Sequence, residues 1–135
     1  MNTTTPAAKI LVVEDEPGVL DLVSRQLRSL GYEVTAVASA DDALHQLSLK
    51  EGFDLLLTDV VMPGGVNGAE LARRAQRAFG SELKILMTSG YPQAVFDEVG
   101  RPDDDIALLR KPYHAAELAD AVSAALNAPA VAVLT

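Results

Sequence analysis

No cysteine and no tryptophan occur in this chain of 135 residues. Without cysteine there can be no disulfide and no thiolate metal centre, which fits a reducing compartment. Aromatic residues are scarce, at 4%. Positive charge is in deficit: 11 Lys and Arg stand against 19 Asp and Glu, for a net charge of −8. No basic patch is therefore available to neutralise phosphates, which argues against nucleic acid as a direct partner. The same deficit argues against binding an anionic membrane surface. No apolar run approaches the length of a bilayer span. Residues 1–8 (MNTTTPAA) have no apolar core of a signal peptide, and a cytoplasmic location is expected.

What is present is ample apolar material, 49% of the chain, enough for one domain with one core. The expected boundaries are a disordered lead over 1–8, a domain over 9–127 and a tail over 128–135. Lys9 to Val13 is a β-branched apolar run that reads as a central strand. Pro17 then suits the first turn of a helix. That helix runs to about Leu30, with Leu20, Val23, Leu27 and Leu30 as its core stripe and Gly31 as an αL cap. Tyr32 to Val37 alternates like a strand with one wetter face. Ala40 to Lys50 reads as a helix capped by Asp41 or Ser39. Leu55 to Leu57 is apolar on both faces, as in a parallel sheet covered by helices. Residues 67–79 form a helix burying Leu71, Ala75 and Ala78. Lys84 to Gly90 is a fourth strand, and residues 91–100 a short helix. Ile106 to Arg110 is a fifth strand. The last helix, from Tyr113 to Asn127, has Leu118, Ala121, Val122 and Ala125 at core spacing. Strands alternating with helices over short connections imply right-handed βαβ units, hence an α/β, doubly wound parallel sheet.

Ligands in such sheets bind beyond the carboxyl ends of the strands. The first strand delivers Glu14 and Asp15 there, the third Asp59, the fourth Ser89 and the fifth Lys111. Each has an ordinary reading. Acidic residues before Pro17 favour a helix N-terminus; an aspartate closing a strand, or Ser89 before Gly90, is commonly turn chemistry; Lys111 is an ordinary lysine at a strand exit. Their convergence on one rim is the stronger observation. Three carboxylates repel unless a cation joins them, and magnesium takes oxygen ligands of this kind. A lysine and a hydroxyl beside them offer positive charge and a donor to phosphoryl oxygens. The set suits transfer of a phosphoryl group onto Asp59.

The motifs ILVVEDEP (Ile10 to Pro17), LLLTDVVMP (Leu55 to Pro63), LMTSGY (Leu86 to Tyr91) and LLRKPY (Leu108 to Tyr113) resemble the receiver domain of bacterial two-component response regulators. The resemblance covers about Lys9 to Asn127. It implies a flavodoxin-like, CheY-like (βα)5 fold of strand order 2-1-3-4-5. It implies Mg2+ held by Glu14, Asp15, Asp59 and the backbone carbonyl of Val61. It also implies Asp59 as phosphoacceptor, Ser89 as switch hydroxyl, Lys111 as the family's lysine, and a cis Lys111–Pro112 bond. The implied partners are a histidine kinase or histidine phosphotransfer protein and a downstream protein that the residues do not name. The face beside the site that docks the phosphohistidine bundle falls on Glu16, Gly18, Val19, Leu22 and Pro112; Leu22 points away from the core stripe of its helix.

Two departures qualify the resemblance. The aromatic switch position is Leu108, so the usual aromatic–hydroxyl coupling needs another readout, for which Tyr91 is a partial substitute. Gly64-Gly65 lengthens the loop after the acceptor. Val61 and Tyr91, at positions that tune hydrolysis, are bulky and poor at activating water, so slow loss of the phosphoryl group is expected. A single-domain response regulator is the leading reading, acting by altered protein binding or phosphorelay, and not as a metabolic enzyme. The alternatives are a receiver excised from a hybrid histidine kinase, a phosphorylation-independent scaffold, and a magnesium-dependent aspartyl-phosphate phosphatase. The phosphatase would want an aspartate where Val61 stands.

Overall fold

A computed structural model describes residues 7–49, 52–60, 67–89 and 107–127. Strands β1 (Lys9–Val13), β2 (Glu33–Val37), β3 (Leu55–Asp59), β4 (Lys84–Ser89) and β5 (Ala107–Arg110) form one sheet of order β2-β1-β3-β4-β5. Every ladder is parallel. Helices α1 (Pro17–Ser29), α2 (Ala40–Leu49), α3 (Gly68–Phe79) and α4 (Ala115–Asn127) cover it. The expected helix over 91–100 and the loop over 101–105 lie outside the described residues.

Strand periodicity divides the core into two layers. Ile10, Val12, Leu55, Leu57 and Leu86 point to one face and pack with Val23 and Leu27 of α1 and Leu118 and Val122 of α4. Leu11, Val13, Leu56, Ile85 and Met87 point to the other, against Ala43 and Leu47 of α2 and Leu71, Ala72 and Ala75 of α3. All five residues of β3 are buried, as expected of a strand covered on both faces. β2, at the sheet edge, is only half-buried.

Local chemistry fixes the helix ends. Pro17 opens α1. Its close is a Schellman motif: Gly31 at φ 96° donates its N–H to Arg28 (3.0 Å), and Tyr32 donates to Leu27 (3.2 Å). For α2 the capping side chain is Ser39, whose Oγ accepts from the Asp42 N–H at 3.1 Å. Asn67 caps α3 through the Glu70 N–H at 2.8 Å. At α4, Glu117 reaches back to the His114 N–H at 2.8 Å, half of a capping box.

Two expected core residues are not in the core. Leu30 is 52% exposed, because α1 stops at Ser29 and Leu30 is its cap rather than a member of its stripe. Ala78 is exposed, and Phe79 packs against the core instead. At about 100° per residue the buried face of α3 centres on Gly68, Ala75 and Phe79, leaving Ala78 roughly a quarter-turn aside.

Candidate functional site

Sheet register decides which side chains meet at the carboxyl rim. Val13 pairs with Thr58, so one further step sets Glu14 beside Asp59. Both residues continue the face that carries Val12 and Leu57. The Glu14 N–H donates to Val37 at 3.1 Å, holding the turn after β1 to β2. Asp59 pairs with Thr88 and Ser89 with Arg110. The next residue, Lys111, donates its N–H to the Ser89 carbonyl at 2.8 Å. The Lys111–Pro112 peptide is cis.

This frame brings Lys111 between two acids. Its Nζ donates to Glu14 Oε1 and to Asp59 Oδ2, each at 3.0 Å. Glu14 and Asp59 are buried, and the lysine side chain is 26% exposed. Glu14 Oε2 accepts from the Glu16 N–H at 3.2 Å. Half-buried Asp15 completes the cluster: one carboxyl oxygen from each of Glu14, Asp15 and Asp59 lies within 4.8 Å of the others.

Burial pushes the Glu14 carboxyl up, against hydrogen bonds from Lys111 and the Glu16 N–H. Burial alone would lower Lys111, but its bonds to Glu14 and Asp59 outweigh it and hold the ammonium above its ordinary range. Burial also raises the hydroxyl of Tyr113, against the pull of Lys111. Three carboxyls thus face one ammonium. An all-oxygen donor set with surplus negative charge suits a hard divalent cation, so these three residues could hold a metal ion.

Ser89 is buried at the end of β4, one residue beyond the strand partner of Asp59. Val61, Gly64, Gly65 and Tyr91 lie outside the described residues. The side chains of His45 and His114 are not among those converging on the rim.

Beside the acids lies a groove of about 460 Å3, whose walls include Val19, Leu22, Gln26, Pro112 and Tyr113. Of the expected docking residues, Pro112 and half-buried Val19 line it, while Glu16 and Gly18 are exposed. Leu22 is 55% exposed. Lys111 lines this groove as well, so one side chain touches both the apolar surface and the acidic cluster.

Gly68 was legible only as a helix residue, yet it lies against the backbone of Asp59. A Cβ there would fall on the Asp59 carbonyl oxygen, 2.7 Å from its carbonyl carbon. The sole sequence signal is a glycine, a poor helix former, in the first turn after the Asn67 cap.

Comparison with known proteins places this geometry in context. The sequence model of the response regulator receiver domain matches residues 10–123. The response regulator receiver protein CpdR of Brucella abortus is 33% identical over 120 residues, which are 89% of this chain and 98% of CpdR. The sensor kinase CckA of the same organism is 33% identical over 122 residues, 90% of this chain but 13% of that longer protein. Among solved structures, the response regulator TrrA of Thermotoga maritima, in complex with Mg(2+)-BeF, superposes with a TM-score of 0.72 at 27% identity. That match covers 86% of this chain and 96% of TrrA. Among the described residues no helix is long and apolar enough to cross a membrane.

Proposed function

This chain belongs to the response regulator receiver domain family, and from that premise we propose that it accepts a phosphoryl group on Asp59 and signals through the resulting change in protein binding or by passing the group on. The observation that carries the reading is the bridge from Lys111 to Asp59 and Glu14 at 3.0 Å, on the rim where three carboxyls converge.

In the proposed reaction a carboxylate oxygen of Asp59 attacks phosphorus. The bond from phosphorus to the donor atom breaks, and the donor leaves with the electron pair: an imidazole from a phosphohistidine, acetate from acetyl phosphate. Asp59 sits at the end of a strand buried on both faces, so little reorganisation is needed to aim it. Lys111, protonated in its acidic surroundings, supplies a positive donor to a phosphoryl oxygen arriving at Asp59. Ser89, next to the register partner of Asp59, supplies the switch hydroxyl. Glu14, Asp15 and Asp59, with the Val61 carbonyl, would hold Mg2+. A bound divalent ion supplies charge neutralisation at the transferring group.

The groove along α1 gives the donor its place. Its apolar walls and its shared residue Lys111 suit a histidine kinase or histidine phosphotransfer protein that presents its phosphohistidine to Asp59. Leu108 is 36% exposed on β5 and occupies the aromatic position of the family's switch, so the downstream partner would read a different surface change. A cytoplasmic location and a signalling rather than metabolic role follow from the same reading.

Intact mass after treatment with acetyl phosphate and magnesium tests the proposal. One phosphoryl adduct should form on the native chain and none on Asp59→Asn. Equal adducts on both chains, or none on the native chain with magnesium bound, would refute it.

A further inference from the structure

We propose that Gly68 is a positioning residue for Asp59: the bare Cα of the first residue of α3 sets where the carboxylate-bearing end of β3 stands. The inference rests on the role of Asp59 proposed above and deepens it. A Cβ on Gly68 would overlap the Asp59 carbonyl oxygen and lie 3.0 Å from the Val60 Cα. The three nearest atoms are all backbone, so no side-chain rotation relieves the overlap.

Neither side of the contact yields readily. On the strand side, Asp59 is in register with Thr88, and the Val60 N–H donates to the Thr88 carbonyl at 2.9 Å. The Thr58 hydroxyl also rests on the Asp59 carbonyl, at 3.1 Å. On the helix side, Asn67 caps α3, and Leu71, Ala72 and Ala75 are buried in the core below. The two sides are tied directly by the Gly68 N–H donating to the Val60 carbonyl at 2.9 Å. An added methyl therefore displaces the Asp59–Val60 backbone or the start of α3. Where the strand side gives way, the Asp59 carboxylate, which springs from the same residue as the obstructing carbonyl, moves relative to Glu14 and Lys111. A misplacement of order 1 Å at a reacting group can cost about a hundredfold in rate.

The test compares the native chain, Gly68→Ala and Ala72→Gly, the last loosening the same helix while adding no atom. Three quantities are read: magnesium affinity by calorimetry, the Asp59 and Glu14 carboxyl carbon resonances without metal, and the rate of adduct formation with acetyl phosphate. Measurements are made well below each melting temperature, with a stabilising osmolyte where needed. Gly68→Ala should bind magnesium at least fivefold more weakly, shift the Asp59 resonance, and react at least tenfold more slowly. Ala72→Gly should stay within twofold of native in magnesium affinity and in rate, with the Asp59 resonance unshifted. A folded Gly68→Ala with native affinity, resonances and rate would overturn the proposal. So would a Gly68→Ala chain that cannot fold even with osmolyte, since the contact would then serve the fold alone. If the native chain forms no adduct while Gly68→Ala still weakens magnesium binding, the phosphoacceptor reading fails and the positioning role stands.

Discussion

Replacing Lys111 with methionine keeps an unbranched stem, one heavy atom shorter, and removes its charge, leaving Glu14 and Asp59 buried side by side. At 3.0 Å each attraction is about 5 kcal/mol at an effective dielectric of 20. Desolvation of the three groups offsets most of that gain. Removing one partner of a buried pair nonetheless costs about 3–5 kcal/mol, because the remaining charge is uncompensated. The lysine side chain is 26% exposed, so water screens part of the loss and about 3 kcal/mol is expected. For a chain of this size that lowers the melting temperature by roughly 10 °C. The gap should close as pH falls into the carboxyl range, where the acids left behind become neutral. Magnesium gives the second arm. The ammonium and a metal ion compete for the same two carboxylates, so Lys111→Met should bind magnesium more tightly than the native chain. Saturating metal should then raise its melting temperature by more. Melts followed by circular dichroism, with chelator and with magnesium, measure both. A loss below about 1 kcal/mol, or equal magnesium increments in the two chains, would mean that Lys111 does not compensate the two buried acids.

Two further substitutions probe the site and its edge. Leu22→Asp should slow transfer from a cognate kinase while leaving the acetyl phosphate rate unchanged, because Leu22 lies in the groove wall and is 55% exposed; equal kinase rates would remove the groove from the docking surface. Glu14→Gln should stabilise the metal-free chain at neutral pH, because Asp59 still pairs with Lys111 and burial disfavours the charged Glu14, and should weaken magnesium binding at least tenfold. The sign follows from burial raising the Glu14 carboxyl: folding favours its protonated form, so its contribution is full below the ordinary carboxyl range and lost as pH rises. The advantage of the variant should therefore vanish in acid, and denaturant titrations at pH 4 and pH 7, compared with native, read this directly.

The sheet was legible because its central strands are apolar on both faces. Ile10 to Val13 and Leu55 to Leu57 could not belong to an exposed strand, and their placement also fixed which residues end on the rim. Glu14, Asp15, Asp59 and Lys111 could thus be brought together from sequence, and the structure places them together. The ends of helices were less legible. Leu30 satisfies the spacing of the α1 stripe but falls on its cap, and Ala78 loses its place to Phe79. Least visible was Gly68. Its contact with Asp59 joins residues nine apart through backbone atoms, and no side-chain pattern records a distance between two backbones. The direct bond of Lys111 to Glu14 spans 97 residues and likewise depends on sheet register, which composition does not encode.

Under the proposed function Asp59, and no other carboxyl on the rim, takes the phosphoryl group. Borohydride reduces an acyl phosphate to the alcohol, so treatment with acetyl phosphate and magnesium, followed by reduction and peptide mass spectrometry, reports the modified residue. Homoserine is expected at position 59, with Glu14 and Asp15 unaltered. Reduction products at Asp15 or Glu14, with Asp59 intact, would contradict that expectation.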